Sequence, residues 1–113
     1  METIDPVAAF GAVDIRTGTI VSAEPLTGAR KPAYRLRVDF GDALGVRASS
    51  AQLTVRYTPE TLIGKQVLAV VSLPPKRIAG FTSEVLVLGV ADEEGAVVLI
   101  APDRRVPDGA RMY

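Results

Sequence analysis

Residues 58–73 read TPETLIGKQVLAVVSL. The stretch opens as a short helix: Thr58 can cap it, Pro59 suits its first position, Glu60 sits at the positive end of its dipole, and Gly64 stops it. From Gln66 to Leu73 the chain is almost continuously apolar, the pattern of a strand with both faces covered. What flanks this helix–strand unit decides the architecture.

Upstream, residues 33–41 (AYRLRVDFG) alternate cleanly, with Tyr34, Leu36, Val38 and Phe40 inward and Arg35, Arg37 and Asp39 outward. Residues 13–24 (VDIRTGTIVSAE) alternate as well. They place Val13, Ile15, Thr17, Thr19 and Val21 on the buried face, with Gly18 marking a bulge or sharp coil. Residues 45–55 (GVRASSAQLTV) read as a third strand with a ragged end. Downstream, 83–90 (SEVLVLGV) and 96–102 (AVVLIAP) are further strands, and 106–109 (VPDG) is a turn. At the N-terminus, DPVAAF is one helical turn with Asp5 as cap and Pro6 at its first position. Three strands, a short helix, two strands and one more is the order of a five-stranded Greek-key barrel, the OB-fold, with its helix between strands three and four. A β-sandwich is the rival; the position of the helix favours the barrel.

With 113 residues, 48% of them apolar and 23% charged, the chain predicts one ordinary globular domain spanning 1–113. No run approaches the ~20 apolar residues of a membrane span, so no membrane insertion is expected. The start lacks the basic and apolar regions of a signal peptide. Without cysteine there is no disulfide, thiol nucleophile or thiolate metal site, and a cytoplasmic location is expected. Without histidine, serine triads and histidine acid–base schemes are excluded. A Ser83–Lys76 nucleophile would need a desolvated lysine that nothing indicates. Asp92–Glu93–Glu94 reads as a solvated turn. The sequence therefore implies no metal, no cofactor and no catalytic residue.

Net charge is zero, yet residues 30–77 carry nine basic side chains against three acidic ones, a local excess of +6. Such a field attracts a polyanion whatever the total charge. On an OB-fold, ligands lie along strands two and three and between the loops joining strands one to two and four to five. The first loop holds Arg30 and Lys31, and the second Lys76 and Arg77. Strand two adds Arg35 and Arg37, and strand three adds Arg47. Solubility alone also asks for charge on exposed loops and strands. In SSAQ (49–52) the hydroxyls and the Gln52 amide could meet a ligand or satisfy the strand's ragged end. Among six aromatics only Phe81 is expected at the surface beside basic residues. With Ile78 it could anchor an apolar peptide, and alone it offers too little stacking to read single-stranded bases.

DIRTGTIVSAE, RVDFG, the long block from SSAQ at 49–52 through PPKRIAGFTSEVLVLG at 74–89, and PDRRVPDGARM closely resemble the CsaA-type bacterial proteins. These are small secretion-related chaperones of the tRNA-binding-domain family, and the resemblance runs from about residue 10 to 113. It implies a non-catalytic OB-fold homodimer that binds unfolded or precursor polypeptides, or tRNA by shape. Leu73, Pro74, Gly80 and Ser83 stand at positions of the family's tRNA-binding pattern. Ser72 replaces its common Asn, and Val85–Leu86 replaces the Gly–Met pair of synthetase-type members. The apolar segments 4–13 and 97–113 lie outside the five barrel strands, and pairing with a second copy would cover them.

Overall fold

The computed structural model describes residues 3–113. Helix α1 spans Pro6–Ala12, and the Asp5 carboxylate caps it by accepting from the Val7 amide at 3.1 Å. It runs to Ala12, beyond the single turn expected, and all seven residues are exposed. Strands β1 (Ile15–Pro25), β2 (Tyr34–Asp39) and β3 (Val46–Ala51) follow as an antiparallel meander. Helix α2 (Pro59–Leu62) precedes β4 (Gln66–Val70). Then come β5 (Lys76–Ile78), β6 (Phe81–Ser83), β7 (Leu86–Val87), β8 (Gly89–Ala91) and β9 (Val97–Leu99).

Five strands form one sheet in the order β3–β2–β1–β4–β7, and its two ends meet. At that seam Ala48 O accepts from the amides of Glu84 at 2.8 Å and Val85 at 3.2 Å. The Ser83 hydroxyl accepts from Ser50 N at 3.0 Å, and the Glu84 carboxylate accepts from Ala48 N at 3.0 Å. The result is a nearly closed OB-fold barrel with α2 between its third and fourth strands. Reciprocal bonds between Thr58 and Thr61 cap α2, and its fully buried Leu62 plugs the barrel end. Ile20, Leu36, Val38, Phe40, Leu53 and Val67 fill the interior.

Strand β2 matches its alternation residue for residue: Tyr34, Leu36, Val38 and Phe40 are buried, and Arg35 and Arg37 are exposed. Strand β1 departs from its own. Gly18 and Ile20 face the core, a bulge between Ile20 and Ser22 leaves Val21 45% exposed, and Ala23 returns inward. Gly18 is there for space: an added Cβ would lie 2.6 Å from Val38 Cγ1 and 2.8 Å from the Phe40 ring. Ile15, Thr17 and Thr19 point to the other side, where the segment at 107–112 covers them. Thr17 donates its hydroxyl to Pro107 O at 2.9 Å, and Thr19 donates to the Asp108 carboxylate at 2.8 Å. Backbone bonds from Thr17 N to Ala110 O, Gly109 N to Thr17 O and Met112 N to Ile15 O extend the sheet beyond the end of β2.

Two further corrections concern the second half. The run at 83–90 is broken into β6, β7 and β8, because Glu84 turns aside to bond Ala48. Residues 76–78, expected as loop, form a hairpin with 81–83.

Candidate ligand-binding groove

The β5–β6 hairpin follows the stiff Pro74–Pro75 pair. Its register sets Lys76 opposite Ser83, Arg77 opposite Thr82 and Ile78 opposite Phe81. The two-residue turn holds Ala79 at φ 50° and Gly80 at φ 79°, both left-handed as a type I′ connection requires. Directly opposed residues share a face. Lys76, Ile78, Phe81 and Ser83 therefore form one side, and Arg77 and Thr82 the other. The Arg77 guanidinium donates to the Thr82 hydroxyl at 2.8 Å across that outer side.

The β1–β2 loop reaches toward this tip. It is pinched by the bond from Leu26 N to Ala33 O at 2.9 Å, and Gly28 turns at φ 87°. A Cβ on Gly28 would touch that of Ala79 at 3.8 Å, so the two loops meet edge to edge. Beneath them lies a groove of about 940 Å³. Leu26, Leu53, Val85, Val87, Val97 and Leu99 give it an apolar interior. Arg30, Lys31, Lys76 and Arg77 stand exposed at its margins, and none has a carboxylate partner among the described residues. Glu84 also lines it, with one carboxylate oxygen committed to Ala48 N.

The groove thus brings together Arg30, Lys31, Lys76, Arg77, Ile78 and Gln52. The remaining sequence-derived candidates sit differently. Arg35 and Arg37 lie on the outer face of β2, and Arg35 is paired to Glu24 at 2.7 Å. Arg47 is not on that face. The register opposes it to Val38, on the inner side at the barrel end, where its guanidinium donates to Leu44 O at 3.0 Å. Phe81 is half-buried opposite Ile78 and is not part of the groove wall. Ser83 lines the groove but is 9% exposed, and its hydroxyl is spent on the seam, accepting from Ser50 N and donating to Val85 O at 3.2 Å. Ser49, likewise, is fully buried and donates to Ser50 O at 3.1 Å. The apolar walls were not foreseen as site residues; nothing in their sequence separates them from core.

The ionisable groups with displaced pKa values lie elsewhere and act as fasteners. A 2.6 Å hydrogen bond from Arg16 holds the Asp14 carboxyl below its usual value. Arg56, at 2.8 Å from Asp92 and 3.0 Å from Glu94, does the same for Asp92 and ties β8–β9 to the loop before α2. The Asp92–Glu94 turn is therefore an ion-paired clasp. Among the described residues no three acidic side chains are grouped as a metal ion needs, and no helix is long and apolar enough to cross a membrane.

Residues 15–111 match the family model described as "Putative tRNA binding domain". Among solved structures, the chain superposes on the chaperone CsaA of Bacillus anthracis with a TM-score of 0.90 and 50% identity, over 98% of this chain and all of that one. The CsaA chaperone protein of Picrophilus torridus gives 0.90 and 44%, over 97% and 100%. The MetRS related protein of Pyrococcus horikoshii gives 0.84 and 33%, over the full length of both. A curated relative, the methionine–tRNA ligase of Methanothrix thermoacetophila, is 40% identical over 92% of this chain. The chain spans only 15% of that ligase's length.

Proposed function

The chain belongs to the tRNA-binding-domain family, and on that premise we propose that it is a non-catalytic, CsaA-like chaperone. It holds extended stretches of unfolded or export-bound polypeptide in the groove between the β1–β2 loop and the β5–β6 hairpin. The observation that carries this reading is the composition of the groove: an apolar floor of about 940 Å³ edged by four cations. Aliphatic side chains entering it leave water, at roughly 25 cal/mol for each Å² of apolar surface removed. Pro74–Pro75 and the hydrogen-bonded hairpin fix one wall beforehand, which lowers the ordering cost of binding. The cations favour segments that carry carboxylates beside their apolar residues.

A second reading is favoured by the same four cations, none of which is paired with a carboxylate among the described residues. They could track the phosphates of a structured RNA such as tRNA, with Arg37 on the adjoining face of β2. Contacts of that kind recognise shape and backbone and weaken steeply with salt. The exposed apolar residues of α1, Val7 at 80% and Phe10 at 50%, support a homodimer through this helix. The protein would work in the cytoplasm.

One titration series tests the choice. A reduced, unfolded polypeptide and a labelled tRNA are each titrated against the protein across a range of salt. Retention of polypeptide that persists at high salt and is lost in Ile78→Ser supports the chaperone reading. Polypeptide that fails to bind at any salt, with tRNA binding removed by Lys76→Ala/Arg77→Ala, replaces it with the RNA reading.

A further inference from the structure

We infer that a second, smaller cleft beside the groove is a binding site for a phosphate group. Its volume is about 320 Å³, and Leu99 is a wall common to both. Three cations line it, Lys65, Arg104 and Arg105, with Asp103 as the one carboxylate in the wall. Asp108 stands just behind the wall, accepting from the Gln66 amide at 3.0 Å and from the Thr19 hydroxyl at 2.8 Å, so three positive charges face two negative and the excess of +1 still favours a phosphate.

Fixed backbone holds these charges in place. The Gln66 amide grips Val106 on both sides, donating to its carbonyl at 2.7 Å and accepting from its N–H at 3.0 Å. That bond pair moors the segment carrying Arg104 and Arg105 to the start of β4, next to Lys65. Arg105 donates to the Thr19 hydroxyl at 2.6 Å, which sets its guanidinium on one side. The Tyr57 hydroxyl accepts from Leu99 N at 3.0 Å, fixing the ring that lies 6.0 Å from the Lys65 ammonium. Lys65 and Arg104 are exposed and have no carboxylate partner among the described residues. A planar guanidinium beside a mobile ammonium suits the oxygens of a phosphate. The cleft is independent of the groove reading. Its ligand is the phosphate group itself, supplied either as the free ion or by an RNA backbone.

Isotope-labelled protein is titrated with sodium phosphate against sodium chloride at matched ionic strength, and amide shifts are followed. The expected result is saturable, phosphate-specific shifts at Lys65, Arg104 and Arg105 that vanish in Lys65→Ala/Arg104→Ala. A tRNA arm identifies the source. If the cleft meets backbone phosphates, the same variant weakens tRNA binding about tenfold and lowers the salt slope by about two. If tRNA binding is unchanged while the shifts appear, the free ion is the ligand. Lys76→Ala/Arg77→Ala must leave the shifts in place. Shifts abolished by that groove variant would assign the phosphate to the groove and overturn the inference. So would a response to phosphate no different from chloride, with tRNA affinity and slope unaltered in Lys65→Ala/Arg104→Ala.

Discussion

Gly18 lies flat against the Phe40 ring, so close that a methyl group in its place would stand 2.8 Å from two ring carbons. The missing side chain lets β1 coil tightly over β2 while Phe40 fills the barrel. Gly18→Ala forces Phe40 and Val38 off their packing. Overpacking of this kind costs about 1–3 kcal/mol. Urea unfolding should show a lower midpoint with an unchanged slope; an unaltered midpoint would mean the ring has room to move.

Ser83 separates a structural from a ligand-binding role. Ser83→Ala leaves the part-buried Ser50 N–H without its acceptor at the barrel seam, a loss of about 1 kcal/mol. Polypeptide or tRNA affinity, measured on folded protein, should stay where it was. Lost binding at full stability would make the hydroxyl a ligand contact instead.

Asp14 and Asp92 give the fold an acid dependence. Their arginine partners hold both carboxyls below the ordinary 3.8 in the folded state. Between the lowered values and 3.8 the unfolded chain binds more protons than the folded one, so stability rises with pH through that window. The contribution is complete above 3.8 and disappears as pH falls through the lowered values. The urea midpoint should therefore hold near neutrality and drop below about pH 4. Asp92→Asn should be less stable at pH 7 and show a shallower acid decline. A decline of the same steepness in that variant would assign the effect to other carboxylates.

The exposed face of α1 predicts self-association. A chain of 11.9 kDa should sediment at twice that mass at micromolar concentration, and Val7→Glu/Phe10→Glu should return it to a monomer that still unfolds cooperatively, with a melting midpoint that no longer rises with concentration. A monomer in the unaltered protein would refute the homodimer.

The parts of the fold that were legible in sequence are those whose residues answer to one constraint. Strand β2 is paired on both sides with its inner face in the core, so its alternation is strict, and α2 carries its own cap and stop. Strand β1 serves two layers: Gly18 and Ile20 face the barrel, while Ile15, Thr17 and Thr19 face the chain at 107–112. A single period cannot report both. The β5–β6 hairpin was concealed because its left-handed turn begins with an alanine, which carries no turn signal. Arg47 was misplaced because the face of a three-stranded meander is set by register with β2, and an Arg at a barrel end can bend its head out to a carbonyl. The basic loop pairs were legible because the order of strands alone puts those two loops side by side. The apolar floor between them was not, since it looks like core until the loops are seen to stop short of covering it.

The bonds joining Thr17 to Ala110 connect residues 93 positions apart. They impose an order of events on synthesis. Strand β1 is among the first parts of the barrel made, yet one of its edges cannot be satisfied until nearly a hundred further residues have been polymerised. Until then its unpaired amides and the threonines beside them are open to other chains. Closure that depends on such distant contacts is slow compared with local folding, so the chain itself passes through a long stage as an unfinished polypeptide.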